Sequence, residues 1–285
     1  MSKERARRLT KILMAVDGSE ISRNTADISI ELARIFGIKI LGLYVVDEEL
    51  AVNDYADYRN ELGVEDLSLS RADRAALFET RGREILQWLE FRCRESGIGV
   101  TTQMGLGGVG KTVLEAARKA DVLAVGRRGN GHPDSVDYLG KNFRRITHQR
   151  KIPLLAGGDR VEPLRKILIA YKGGEQGLEV LNWAKRFQKR GEFELTALVV
   201  QEDDDRDTQT WEEELQAGLS KKRNGKIELI TARGKAADQI IQTAMKTGSD
   251  LIIMGGYSRK GLLEWLEGST LDSVLRKSRL PVLAA

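Results

Sequence analysis

Lys11-Ile-Leu-Met-Ala-Val-Asp-Gly-Ser-Glu20 and Lys166-Ile-Leu-Ile-Ala-Tyr-Lys-Gly-Gly-Glu175 agree at six of ten positions, at an offset of 155 residues. Each joins a short, mostly apolar run to a glycine-bearing turn, the pattern of a buried strand that runs into a loop and then a helix. The likeness continues along the chain. Leu43-Tyr-Val-Val46 aligns with Leu198 to Gln201 at the same offset, Asp121 to Gly126 with Asp250 to Gly255 at 129, and Ile152 to Ala156 with Leu280 to Ala284 at 128. The chain therefore reads as two copies of one unit. The fall in offset gives the first copy some 26 extra residues after its second strand.

Short β-branched runs alternate with longer segments of helical period in both copies, which predicts βαβ units on a parallel sheet. In the first, strands are expected at 11–16, 39–46, 100–104, 122–126 and 152–156, with helices at 20–36, 72–96, 112–119 and 141–149. In the second, strands are expected near 166–171, 194–200, 227–231, 251–255 and 280–284. The domains are expected at 1–157 and 163–285, where Gly157 to Pro163 breaks both patterns, with an acidic insertion at about 47–70. Asp47 to Asp66 carries eight acidic residues against Arg59 alone, a charge of −7, with Tyr55 and Tyr58 among them. It reads as a solvated excursion, with a lid or partner-docking segment as the alternative.

Composition narrows the function classes. The 285 residues are 41% hydrophobic and 31% charged, with only 4 Pro, which is a core-forming chain of two-domain length. No apolar run reaches the length of a membrane-spanning helix, and the basic start lacks the long apolar stretch of a secretion signal. A cytoplasmic protein is expected. Cys93 stands alone, and His132 and His148 are the only histidines, so no zinc cluster is expected. The net charge of +4 is spread among acids except at the N-terminus and along Lys141 to Lys151, so nucleic acid is not an expected partner.

A parallel sheet of this kind binds ligands beyond its strand carboxyl ends. After strand one comes Asp17-Gly18-Ser19-Glu20, read as an Asp N-cap with a Glu three residues on. After strand four of the second copy come Gly255-Gly256-Tyr257-Ser258 and, ten residues on, Gly268-Ser269-Thr270, which opens a helix. Glycines admit a ligand to the backbone there, and hydroxyls lie beside the open amides of a helix start. In these residues the chain resembles two fused universal stress protein domains, over nearly its whole length. The nucleotide-binding members show Gly-x2-Gly-x9-Gly-Ser/Thr after strand four, an Asp after strand one and a small apolar residue ending strand two.

The resemblance implies an α/β fold of two repeated domains, each a five-stranded parallel sheet with helices on both faces, Rossmann-like or adenine nucleotide alpha hydrolase-like. It implies an adenine nucleotide, ATP or AMP or ADP, with Mg²⁺ left open, in a stress-related regulatory module that forms a homodimer and serves a protein partner. In the second copy Gly255, Gly256, Ser258, Gly268, Ser269 and Thr270 would surround ribose and phosphates, with Met254, Ala170 and Val199 near the base. In the first, the matching positions are Ala15, Asp17, Val45, Gly126, Gly129 and Gly140. Each copy departs from the pattern. Lys172 replaces the Asp, Ser258 replaces a Gly, and Lys141-Asn142 replace the hydroxyl residues. Both lysines are expected near phosphate, since a cation beside a helix start calls for an anion.

Two other readings stand beside this one. The substitutions at Lys172, Ser258 and Lys141 fit an interaction scaffold that has lost its nucleotide. Gly105-Leu-Gly-Gly-Val-Gly-Lys-Thr112 matches a phosphate-binding loop between strand and helix, which would make the chain an ATPase using Lys111 and Thr112. Against it, Gly110-Lys111-Thr112 aligns with Ala237-Asp238-Gln239, and the next strand ends without an acid for Mg²⁺. No Ser-His-Asp set, paired carboxylates or positioned base is evident, so rapid catalysis is not expected. Trp88 and Trp183 read as core, while Trp265, inside the second copy's motif, reads as a reporter of binding.

Overall fold

Ile12, Leu13 and Met14 are buried on both faces of a central strand, as their unbroken apolar run requires. The structure, a computed structural model, describes residues 8–47, 70–128, 139–159, 162–190, 193–202, 208–219, 227–256 and 269–285. The acidic stretch from residue 48 on, Gly129, Ser258, Trp265 and Gly268 lie outside these.

One compact unit spans Leu9–Gly158. Its elements are β1 (Lys11–Ala15), α1 (Glu20–Phe36), β2 (Lys39–Val46), α2 (Arg71–Glu95), β3 (Val100–Leu106), α3 (Val109–Ala117), β4 (Val122–Val125), α4 (Lys141–Gln149) and β5 (Leu154–Ala156). All strand pairs are parallel, in the order β3-β2-β1-β4-β5. Helices α1 and α2 touch each other, as do α3 and α4, and the two pairs cover the sheet. The second unit contains Asp159–Ala285. It holds β6 (Lys166–Tyr171), α5 (Gly174–Arg190), β7 (Glu194–Gln201), α6 (Thr208–Gly218), β8 (Ile227–Arg233), α7 (Ala236–Thr247), β9 (Leu251–Met254), α8 (Thr270–Lys277) and β10 (Val282–Ala284). Its parallel order, β8-β7-β6-β9-β10, repeats that of the first.

β5 and β10 begin two residues later than expected, after Pro153 and Pro281. Proline has no N–H to give a ladder, and only its carbonyl takes part, accepting from Leu123 at 2.9 Å and from Ile252 at 3.1 Å. Helix α1 ends where Gly37, at φ +64°, returns its N–H to Ala33 and Arg34. Helix α2 opens on a reciprocal cap between Ser70 and Asp73.

A repeated carboxylate fixes the amino ends of the sheets. Asp121 Oδ2 accepts from the Thr10 N–H at 2.7 Å, the Thr10 hydroxyl at 2.7 Å and the Lys11 N–H at 3.1 Å. Asp250 Oδ2 does the same for the Arg165 and Lys166 amides at 2.9 and 2.8 Å. Asp121 is buried, so removing it strands amides that water cannot reach easily. Asp121→Ala is expected to cost about 2 kcal/mol in urea unfolding, and Asp121→Asn, which keeps one acceptor, about half that. An equal cost for both would show that charge, not acceptor geometry, matters there.

Candidate functional site

In each unit the chain leaves the first strand toward one edge and returns to its other side for the fourth. The crevice of such a sheet lies between those two carboxyl ends. In the first unit they belong to β1 and β4, and three segments meet there.

The first segment is Asp17 to Ser22. Gly18 sits at φ +82°, a left-handed conformation that delays the helix. Ser19, not Asp17, is therefore the N-cap, which corrects the expectation from sequence: its Oγ accepts from the Ser22 N–H at 3.2 Å. Asp17 Oδ1 accepts from the Ser19 N–H at 2.9 Å, and the Asp17 N–H donates to Ser22 Oγ at 3.2 Å. The carboxylate is thus held at the crevice, partly exposed.

The second segment follows β4. A side chain on Gly126 would put its Cβ 3.2 Å from the backbone N of Ser22, so glycine permits the start of α1 to lie against the strand end. Arg127 and Arg128 come next and are buried, at 4% and 8% exposure, with the Arg128 carbonyl 3.5 Å from Ser19 Oγ. The third segment is the start of α4. The Gly140 N–H donates to the Arg127 carbonyl at 3.0 Å and draws the helix start to the end of β4. No side chain caps this helix, and its first turn holds Lys141 and Asn142 with no acid. Its open amides and Lys141 together favour an anion. Ala15 and Val45 are partly exposed at their strand ends, while the strand interiors are buried.

The second unit spends the same places on internal contacts. Lys172, after β6, lies 3.7 Å from Glu202 Oε2, and its ammonium stands over the Trp211 ring at 5.6 Å. Glu202 also accepts from the Ala236 N–H at 3.0 Å and so caps α7. The Trp211 indole lies against Gly173, where a Cβ would stand 2.4 Å from Nε1. Tyr171 donates its hydroxyl to Glu214 at 2.5 Å, and burial, followed by that hydrogen bond, raises the phenol above its ordinary value. Lys172 thus has a carboxylate and an aromatic face among its partners. Gly255 faces Gln176, with a Cβ 2.9 Å from Oε1, and the Gly256 N–H donates to the Ala285 carbonyl at 2.9 Å. Ser269 caps α8 by accepting from the Asp272 N–H at 3.1 Å, and Asp272 adds a carboxylate beside Thr270 in the first turn.

Two further expectations are corrected. The ladder pairs Val45 with Gly105 and Val200 with Ala232, and Gly107 and Gly234 follow at φ +123° and +122°. The counterpart of Val45 is therefore Val200, while Val199, paired with Tyr171, is fully buried and faces the opposite side of the sheet. The Gly105 to Thr112 segment is no phosphate loop. β3 runs to Leu106 and α3 starts at Val109, so only Gly107 and Gly108 lie between, too few to curl round a phosphate. The Thr112 hydroxyl donates to the Gly108 carbonyl at 3.2 Å. Trp183 is core, whereas Trp88 is half-buried with the Arg23 guanidinium 5.2 Å above its ring. Ser22, Arg127, Arg128, Glu202 and Trp211 were not evident from sequence. Of these only Glu202 had a signal, through its alignment with Asp47.

Among the described residues, no group of three or more His, Cys, Asp or Glu is placed to hold a metal, and no helix is long and apolar enough to cross a membrane.

Comparison with known proteins agrees with this architecture. A universal stress protein of Synechocystis sp. is 24% identical over 285 residues, covering 96% of this chain and 99% of that protein. One from Methanocaldococcus jannaschii is 27% identical over 147 residues, 51% of this chain and 79% of that protein. The solved universal stress protein of Archaeoglobus fulgidus superposes with a TM-score of 0.73 at 20% identity, over 96% of this chain and 97% of that one, a likeness of fold. The model of the universal stress protein family matches residues 9–156 and again 163–285. The chain accordingly belongs to the universal stress protein family and carries its domain twice.

Proposed function

We propose that this protein is a regulatory binder of an adenine nucleotide, ATP or its di- or monophosphate, and that its first domain holds the ligand. The observation that carries the reading is the convergence at Gly126. There the Asp17 loop, two buried arginines and the uncapped start of α4 meet at the strand crossover. The residues fit the parts of such a ligand. Asp17 offers an acceptor to ribose hydroxyls or a base amino group, Ala15 and Val45 offer apolar contact to the base, and Gly126, Lys141 and Asn142, the last two just past Gly140, offer amides and charge to phosphate. The second domain keeps the fold with its strand-one loop taken up by Lys172, Glu202 and Trp211, which favours a scaffold role for that half. A nucleotide that binds one conformation of the domain better than another shifts the protein between states. We place the protein in the cytoplasm, which suits a free, buried Cys93 whose thiol burial pushes up to about 11.

A ligand that binds only the folded state stabilises it by roughly 2.7 kcal/mol at a hundred times its Kd. ATP is expected to raise the thermal midpoint of the wild type in a saturable way. Lys141→Glu is expected to abolish the rise and Asp17→Ala to weaken it. An undiminished rise in Lys141→Glu would remove the first domain from the reading.

A further inference from the structure

A cleft of about 210 Å³ opens at the amino end of the second domain's sheet, the end opposite its crevice. Its floor is set by the ladder, which places Lys166 of β6 beside Glu194 of β7, and Thr196 of β7 beside Glu228 of β8. Glu194 and Thr196 are two residues apart on one strand, so all four side chains rise from the same face. Helix α7 packs across these three strands and ends above their amino ends, where Gly248 at φ +61° turns the chain. Its last two residues, Lys246 and Thr247, form the roof.

The polar groups here are of two kinds. The Thr247 hydroxyl is engaged, 2.9 Å from the Thr243 carbonyl and 2.7 Å from Ser249 Oγ. The side chains of Lys166, Glu194, Thr196, Glu228 and Lys246 make no hydrogen bond or ion pair with another described residue. Thr196 decides the reading, because it is only 8% exposed and turns its side chain to the cleft. A hydroxyl at that depth is costly to leave without a partner. The first domain has no such set. Its corresponding pairs are Lys11 with Lys39 and Leu41 with Thr101, so a cation, an apolar side chain and a threonine stand in place of Glu194, Thr196 and Glu228.

We propose that this cleft binds a small zwitterion carrying a carboxylate and an ammonium group, the chemistry of a free amino acid. Lys166 and Lys246 take the carboxylate, Glu194 and Glu228 take the ammonium, and the Thr196 hydroxyl donates to the carboxylate between them. Strands β6 and β8 flank β7 at about 5 Å on either side, so a molecule lying over Thr196 reaches Lys166 with one end and Glu228 with the other. A simple anion would meet both carboxylates and a simple cation both lysines, so neither gains from the whole set. The volume is below the roughly 300–1,000 Å³ of sites for drug-sized ligands, which fits a smaller molecule.

The test is isothermal titration calorimetry of the whole, nucleotide-free chain with each of the standard L-amino acids in turn at millimolar concentration. Sodium acetate and methylammonium chloride, which carry one charge each, are titrated beside them. Saturable binding of at least one amino acid at a single site is expected, with acetate and methylammonium at least ~10-fold weaker. Thr196→Val exchanges the hydroxyl for a methyl group, so it is expected to keep or raise the thermal midpoint while weakening the amino acid about 5-fold. Glu194→Gln/Glu228→Gln is expected to weaken it at least ~10-fold and to strengthen acetate, since the lysines then act alone. Lys39→Gln in the first domain and Lys141→Glu in the nucleotide crevice are expected to leave it unchanged. The proposal is overturned if no amino acid binds, if acetate or methylammonium matches the best of them, or if Thr196→Val binds like the wild type. Loss of binding in Lys141→Glu would assign the amino acid to the nucleotide crevice and overturn it as well.

Discussion

Gly157→Ala is expected to destabilise the first domain by about 3 kcal/mol or more, the scale of overpacking a tight core. Gly157 lies just past β5, where its N–H donates to the Val125 carbonyl at 3.3 Å, and α1 passes directly over it. A Cβ there would stand 1.8 Å from Thr25 Oγ1, 2.8 Å from Thr25 Cβ and 3.2 Å from Thr25 Cα. The hydroxyl cannot simply turn away. It is buried and donates to the Ile21 carbonyl at 2.6 Å, so moving it forfeits that bond, and the Cβ contact persists in any rotamer. Either α1 or β5 must shift. Because α1 also starts against Gly126, the strain reaches the candidate site, and ATP affinity is expected to fall with stability. Thr25→Ala removes the nearest atom but not the Cβ, so it is expected to restore part of the loss in a double-mutant cycle. Hydrogen exchange of the α1 and β5 amides reads the domain directly, and a cost under ~1 kcal/mol would show that the two elements separate easily.

Trp211→Ala is the second large effect, at about 3–4 kcal/mol, the usual range for deleting a buried indole. The ring is 9% exposed, lies against Gly173 and carries the Lys172 ammonium on its face. Its loss leaves a cavity beside the β6 loop and strips Lys172 of one of its two described partners. Trp211→Phe keeps a π face with less area and is expected to cost less than half as much. If the Lys172 loop is held shut by this ring, Trp211→Ala also exposes the Gly173 and Gly174 amides to exchange. An unchanged exchange pattern in a destabilised variant would assign the tryptophan to packing alone. The comparison bears on function, because this loop occupies in the second domain the place that Asp17 holds in the first.

How far the sequence revealed this molecule depended on the range of the interaction involved. β2, α1 and α4 were legible to the residue, since local periodicity and the repeat both point to them. Helix α3 starts three residues earlier than expected because Gly108-Val109-Gly110 gives little local helical signal, and packing against α4 decides its start. The sequence places the N-cap two residues early because Asp17 and Ser19 are both good caps, and only the left-handed Gly18 between them settles which one acts. Val199 and Val200 differ by one step in a period of two, so the offset of 155 was needed to choose the right face. The close contacts of Trp211, Glu202 and Lys172 join residues far apart in the chain, which no local pattern encodes. Ser258, Gly268 and Gly129, which carry part of the family motif, lie outside the described residues and stand as sequence expectations.

The central claim is that one domain holds the nucleotide and that the start of α4 holds its phosphates. Native mass spectrometry of the 31.8 kDa chain in the presence of ATP counts the bound molecules directly. The account predicts one adenine nucleotide on the wild type and on Gly255→Val, and none on Lys141→Glu. Two nucleotides per chain, none at millimolar ATP, or one that persists in Lys141→Glu and vanishes in Gly255→Val would contradict it.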